Sequence, residues 1–206
     1  MEERGRGRGE EERARIADIE AVNTLRQFDR VIELIEQSIA SKQPPRFDSE
    51  LLKELHAIAL DGIATDAGHY RTGRVFITNS EHQPPTAADV PGLVDEMCRH
   101  VHNRWPLDDA TYLAAYVMWR LNWIHPFADG NGRTSRAAAY LVLSCRLGFV
   151  LRGSVTVPAL FGTSRRNYYE VLADADAAWR GGRLNVDSLE RLLRRFVVRQ
   201  LNGPTL

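Results

Sequence analysis

The stretch HPFADGNGRTSRAAAYLVLSCRLGF, residues 125–149, falls into two unlike halves. From Ala137 onward it is apolar at most positions and reads as a buried helix closed by Gly148. Residues 125–136 instead carry a histidine, an acid, two arginines and a Gly-Asn-Gly triplet. A glycine in a helix interior costs about 1 kcal/mol relative to alanine, so the triplet marks a loop that feeds a helix start. Gly130 and Gly132 permit positive φ and a close backbone approach. Their N–H groups, next to a helix N-terminus, form a nest for an anion. Arg133 and Arg136 are three apart and share one face of the first turns. Cations are disfavoured at a helix N-terminus, where the dipole is positive, and an anion between them offsets that repulsion. His125 stands at the edge of the preceding helix, which Pro126 ends, and an imidazole there can take a proton near neutral pH. Asp129 is a hard oxygen ligand of the kind Mg²⁺ takes when it also holds a phosphate. A base, a metal ligand, an anion nest and two cations are the parts needed for phosphoryl or nucleotidyl transfer.

Working outward, the chain alternates helical patterns with short breaks. Residues 1–12 are Glu, Arg and Gly with nothing apolar to bury, and predict a disordered tail. From residue 13 to 40, Ile16, Ile19, Leu25, Phe28, Val31, Ile32, Ile35 and Ile39 recur at helical steps. Pro44 and Pro45 interrupt the pattern, and Ser49 is the expected N-cap of the next helix, which ends near Gly62. The segment AGHYRTGRVFI, residues 67–77, has strand-forming Tyr70, Val75, Phe76 and Ile77 around an Arg-Thr-Gly-Arg turn, predicting a short hairpin at about 70–79. Amphipathic helices follow at 86–105, with Pro91 near the start, and at 109–124. Two more are expected near 164–179 and 187–201. The fold class is therefore all-α, with one short β-hairpin and an N-terminal helix.

Composition narrows the classes. Lys plus Arg and Asp plus Glu number 27 each, which argues against a general nucleic-acid binder. No apolar run approaches the roughly 20 residues that span a bilayer, and the charged N-terminus is no secretory signal. Cys98 and Cys145, far apart, read as reduced core thiols of a cytoplasmic protein. Five further histidines (His56, His69, His82, His100 and His102) have no spacing that makes a metal site, and the four tryptophans are expected in the core or at an interface. The amphipathic run RLLRRFVVRQ, residues 191–200, is expected to face solvent or a partner rather than a membrane.

His125-Pro126-Phe127, Asp129-Gly130-Asn131-Gly132-Arg133 and Arg136 fit without a gap the signature of the Fic family, His-x-Phe-x-Asp/Glu-Gly-Asn-Gly-Arg-x-x-Arg. AGHYRTGRVFI resembles the family's hairpin flap, and RRNYYEVL, residues 165–172, resembles the late helix beside the adenine. The resemblance covers about residues 50–180. It implies transfer of AMP from ATP, with Mg²⁺ as cofactor, to a Ser, Thr or Tyr hydroxyl of a target protein. By that likeness His125 is the general base and Asp129 holds Mg²⁺. Gly130, Asn131, Gly132, Arg133 and Arg136 bind the phosphates, and Tyr168 and Tyr169 lie near the adenine. Tyr70, Arg71, Thr72, Val75 and Ile77 belong to the flap that aligns the target. A lysine at position 132 would mark the related Doc type, which phosphorylates; the glycine favours AMP transfer. The rival expectations are the same fold moving another phosphate-containing group or removing AMP, and a non-catalytic binding protein.

The family also carries an inhibitory helix, Ser/Thr-x-x-x-Glu-Gly/Asn, whose glutamate pairs with the second arginine. The nearest copy is IADIEA, residues 16–21, where Glu20 matches while Ile16 and Ala21 depart. This divides the chain into a tail (1–12), an N-terminal helix and linker that hold a degenerate inhibitory element (13–48), and a Fic-type catalytic domain (49–206). Glu20 is expected to reach Arg136. Otherwise an antitoxin-like protein supplies the glutamate or there is no such control; the expected partners are that antitoxin-like regulator or a second copy in a homodimer.

Overall fold

The computed structural model describes residues 2–77 and 80–203, with side chains from residue 11. Among these residues the regular structure is helical: α1 Glu2–Ser41, α2 Ser49–Leu60, α3 Val90–Arg104, α4 Ala110–Ile124, α5 Asn131–Leu147, α6 Val157–Thr163, α7 Arg165–Arg180 and α8 Asp187–Asn202. A single 3-10 turn, Ala87–Asp89, leads into α3.

Helices α4 and α5 are the centre of the molecule and pack most extensively on each other. Both are buried along most of their length, as the apolar runs on either side of residues 125–130 require. α1 and α2 cover α5, α3 covers α4, and α7 and α8 close the far side of α4. The buried stripe of α8 is Leu189, Leu192, Leu193, Phe196 and Gln200, so the apolar face of the 191–200 run belongs to the core. Among the described residues no helix is long and apolar enough to cross a membrane. Trp119, Trp123 and Trp179 gather round the buried Arg120, whose guanidinium carbon lies 4.4 Å from the Trp123 ring centre and 4.8 Å from that of Trp179.

Several expectations need correction. α1 begins at Glu2, so the stretch read as a disordered tail through residue 12 continues the helix; extending an existing helix adds one hydrogen bond per residue fixed and avoids the cost of a new nucleus. Its buried face includes Asn23, Gln27, Val31, Ile35 and Ser38, while Leu25 faces solvent at 67 % exposure. Polar anchors replace part of the apolar stripe: the Asn23 amide donates to Asp61 O at 2.7 Å and that of Gln27 to Leu55 O at 2.8 Å. Asp48, one residue before Ser49, caps α2 by accepting from Leu51 N–H at 2.9 Å. α6 was not foreseen, although Thr156 ahead of Val157-Pro158 is a cap-then-proline start, and its hydroxyl accepts from Ala159 N–H.

The hairpin is the largest difference. Residues 71–77 form a strap without regular secondary structure, and no strand occurs among the described residues; Thr78 and Asn79, inside the expected hairpin, lie outside them. The return arm carries Gln83-Pro84-Pro85, and prolines have no N–H to donate to a ladder. The strap still alternates like an extended chain, with Val75 and Ile77 half-buried and Phe76 exposed at 84 %.

Candidate functional site

Residues 125–130 join the two central helices, so each end of the loop is set by the core. His125 closes α4 in the left-handed region, φ 50°, ψ 61°, with its N–H donating to Leu121 O at 2.9 Å. Its Nδ1–H donates to Asn122 O at 3.2 Å. A carbonyl can only accept, so Nε2 carries the lone pair and is the proton acceptor. Burial holds this imidazole below its ordinary value, with the nearby Arg71 and His82 charges acting the same way. His125 is therefore neutral at pH 7.

The loop is braced from within and from below. Asn131 is buried and grips Phe127 at both ends of its amide: Oδ1 accepts from Phe127 N–H at 3.0 Å and Nδ2 donates to Phe127 O at 2.8 Å. Its side chain is thus a loop brace. Phe127 stacks on His56 of α2, ring centres 3.8 Å apart and nearly parallel. His56 Nδ1 accepts from Gly68 N–H at 2.9 Å and Nε2–H donates to Asp129 O at 3.0 Å. Sequence reading left His56 among the uncommitted histidines; its partner lies 73 residues away.

Beyond the brace lies the start of α5. Gly130 has φ 72° and caps α5. The Asp129 carboxylate accepts from Gly130 N–H at 2.6 Å and, on its other oxygen, from Arg133 at 3.2 Å, while staying 74 % exposed. Arg133 also donates to Glu20 Oε1 at 2.9 Å. The expected Glu20–Arg136 pair is not formed: Arg136 lies a turn further along α5, in the electrostatic neighbourhood of Tyr168, Arg133, Tyr169 and Arg165. Burial disfavours its charged form, and it has no carboxylate partner among the described residues. A pocket of about 420 Å³ opens here, lined by Glu20, Asp129, Gly130, Gly132, Arg133, Arg136 and Arg165. Arg165, at the start of α7, is a third cation that the sequence motif does not contain.

His125 faces a second cavity of about 270 Å³, with Ile77, Trp123, Tyr169, Leu172 and Asp176 among its walls. Of the two tyrosines expected beside the adenine, Tyr169 lines this cavity. Tyr168 is buried, and its hydroxyl accepts from Asn122 Nδ2 at 2.8 Å, locking α7 to α4. The flap residues also divide. Tyr70 packs on Phe127 and meets Ser49 Oγ at 2.9 Å, its hydroxyl pushed up to about 12 by burial. Arg71 is buried beneath the strap. Thr72, Val75 and Ile77 lie on the strap itself.

The comparisons follow this geometry. A model of the Fic/DOC family matches residues 46–143, which span α2, the strap, α3, α4, the 125–136 loop and most of α5. The 125–136 loop and the helices that hold it thus match the Fic/DOC family. Protein adenylyltransferase Fic of Nematostella vectensis is 28 % identical over 161 residues, covering 75 % of this chain and 34 % of that one. Protein adenylyltransferase VbhT of Bartonella schoenbuchensis is 30 % identical over 123 residues, covering 58 % of this chain and 25 % of that one. The chain thus spans a quarter to a third of the length of these relatives. A Fic domain containing signaling protein from Bacteroides thetaiotaomicron superposes with a TM-score of 0.69 at 19 % identity, covering 87 % of this chain and 70 % of that one. Within the Fic fold, the α4–loop–α5 unit therefore carries the family signature, while α1 lies outside the matched segment and brings Glu20 to it.

Three histidines, His56, His100 and His125, are held neutral mainly by burial. The folded chain then binds these protons less readily than the unfolded chain. The stabilisation is complete above the ordinary imidazole value of 6.5 and is lost as pH falls below it. His100 stacks on Tyr116, ring centres 3.9 Å apart, away from the loop. Thermal scans are expected to show a melting temperature that drops between pH 7 and pH 5, with a smaller drop in His100→Phe. Equal drops in the two proteins would mean that His100 is charged in the folded state.

Proposed function

We propose that this chain transfers AMP from ATP to a hydroxyl side chain of a target protein. The observation that carries the reading is that one loop joins a neutral His125, its Nε2 free to accept and facing a 270 Å³ cavity, to a helix N-terminus and three arginines round a 420 Å³ pocket. In this reading His125 takes the proton of the target hydroxyl, and the hydroxyl oxygen bonds to the α-phosphorus. The bond from that phosphorus to the bridging oxygen breaks, and pyrophosphate leaves. Arg133, Arg136 and Arg165, with the backbone N–H groups of 131 and 132, hold the phosphates and balance their charge. The base occupies the 270 Å³ cavity against Tyr169 and Leu172. The strap 71–77 receives the target segment as an extended chain, by main-chain pairing.

The residues fit Mg²⁺. Asp129 is a hard oxygen donor, exposed at the pocket mouth. No group of three or more His, Cys, Asp or Glu gathers among the described residues, so the set suits an ion that takes its other ligands from water and phosphate. When bound, the ion supplies charge neutralisation on the phosphate oxygens. Free thiols at Cys98 and Cys145 suit the reducing cytoplasm.

The test is incubation of the protein and a lysate with Mg²⁺ and ATP labelled at either the α- or the γ-phosphorus. Protein-bound α-label without γ-label is the expected result. γ-Label would mean phosphorylation, and no label in either arm would leave a binding protein.

We further propose that residues 13–48 regulate the catalytic unit 49–206 through Glu20. Its carboxylate occupies Arg133, which the phosphates need. Charge-assisted bonds contribute about 1.5–3 kcal/mol when buried, and less here because the Glu20 side chain is 45 % exposed. Glu20→Gly is expected to raise the transfer rate about two- to fivefold, since an exposed pair contributes up to about 1 kcal/mol and 1.4 kcal/mol is a factor of ten. An unchanged rate would leave regulation to a partner chain or a second copy.

A further inference from the structure

Arg71 is the most heavily engaged side chain near the loop, and none of its contacts faces solvent or a target. Its Nε donates to His125 O at 2.7 Å, and one terminal nitrogen donates to Pro85 O at 2.6 Å and lies 3.4 Å from Ile124 O. The other terminal nitrogen donates to Gly73 O at 2.9 Å, and the Arg71 backbone N–H donates to Pro126 O at 2.9 Å. The side chain is 5 % exposed. Three consecutive carbonyls, from Ile124, His125 and Pro126, are thus held by one residue of the strap, 54 residues away from His125.

These three carbonyls bracket the one point in the loop where a non-glycine residue is left-handed. Such a conformation is unfavourable for a side chain with a Cβ and persists only where the surroundings impose it. The planar guanidinium fork can satisfy several carbonyls in fixed directions, which an ammonium cannot do. The other two carbonyls it reaches, of Gly73 and Pro85, belong to the two arms of the strap.

We propose that Arg71 is a positioning residue for His125: it holds the loop carbonyls that place the imidazole, and joins that loop to the strap on which the target segment lies. The proposal rests on His125 being the base of the reaction above. It moves Arg71 from the target-facing surface, where its place in the flap motif would put it, to the underside of the catalytic loop. It also adds an electrostatic role. The groups around the imidazole are Arg71, Glu81 and His82 from the strap region, Asp129 from the loop, and Asp176 and Arg180 from α7. Among them the Arg71 charge helps keep His125 unprotonated.

The test compares wild type, Arg71→Lys and Arg71→Gln, each first checked for a cooperative melt. The expected result is a kcat about tenfold lower in Arg71→Gln, with KM for ATP within twofold of wild type and partial recovery in Arg71→Lys. The His125 imidazole, followed by nitrogen-detected NMR and assigned by its loss in His125→Ala, is expected to titrate at higher pH in Arg71→Gln. A folded Arg71→Gln with wild-type kcat and wild-type His125 titration would overturn the proposal, as would equal losses in kcat and ATP affinity. The NMR titration does not depend on turnover. A chain that transfers no AMP would sink the reading of the activity and leave the placement of His125 by Arg71 still decided by the spectrum.

Discussion

His125→Ala is expected to bind ATP nearly as well as wild type and to lose transfer by about 10²–10⁴-fold, the usual range for removing a general base. The pocket proposed to hold the phosphates is lined by Glu20, Asp129, Gly130, Gly132, Arg133, Arg136 and Arg165 and does not include His125, so in this reading the nucleotide keeps its main anchors. What is lost is the acceptor proposed for the hydroxyl proton. Its Nδ1 is committed to Asn122 O, and no alanine or water held by alanine reproduces the free Nε2. Because residue 125 is left-handed, with φ 50°, His125→Asn is the companion variant: asparagine tolerates that backbone better and should be equally inactive. Calorimetry with ATP and the α-label transfer assay, run on the same preparations, separate the two effects. An alanine variant transferring at the wild-type rate would end the assignment of His125.

Gly130→Ala is expected to cost stability and activity together. At φ 72° an alanine is strained, and its Cβ would come within 3.2 Å of the His56 imidazole while running into the Leu60 side chain. Left-handed strain costs about 1–2 kcal/mol and overpacking about 1–3 kcal/mol. A total of about 2–5 kcal/mol corresponds to a melting temperature lower by roughly 4–20 °C in a chain of this size. The same shift would pull the Asp129 carbonyl from His56 and tilt the start of α5, so ATP affinity should fall as well. A melting temperature within a degree or two of wild type would mean that α2 yields easily and does not fix the loop.

The 125–130 loop was legible in the sequence because its constraints are local. Glycines, a proline and a polar run between two apolar stretches declare a loop between buried helices without any knowledge of the rest. Gly130 and Gly148 both take the positive φ that their places demand. Long-range partners were not legible. His56 and Arg71 reach the loop across 73 and 54 residues, and no periodicity signals such a pairing. Tyr168 and Tyr169 are adjacent and chemically alike, and only the packing of α7 sends one into the core and leaves the other beside a cavity. The strap read as a hairpin because Tyr, Val, Phe and Ile outweighed the two prolines of the return arm. Glu20 was found, but its partner was not: the crossing point of α1 over α5, set by Asn23 and Gln27 on α2, selects Arg133.

The covalent attachment of Glu20 to the site it meets has a consequence for how the contact can be released. α1 is tied to α2 by buried amides and by Arg30–Glu54 at 2.6 Å, so the carboxylate is delivered to Arg133 within one molecule. Its effective concentration there is of the order of millimolar or above and does not fall on dilution. A separate helix carrying the same glutamate would have to reach that concentration in solution to match it. Dilution and dissociation therefore cannot switch this contact off. Only a ligand that competes for the arginine, or a bend in α1 between Asn23 and its N-terminal end, can do so.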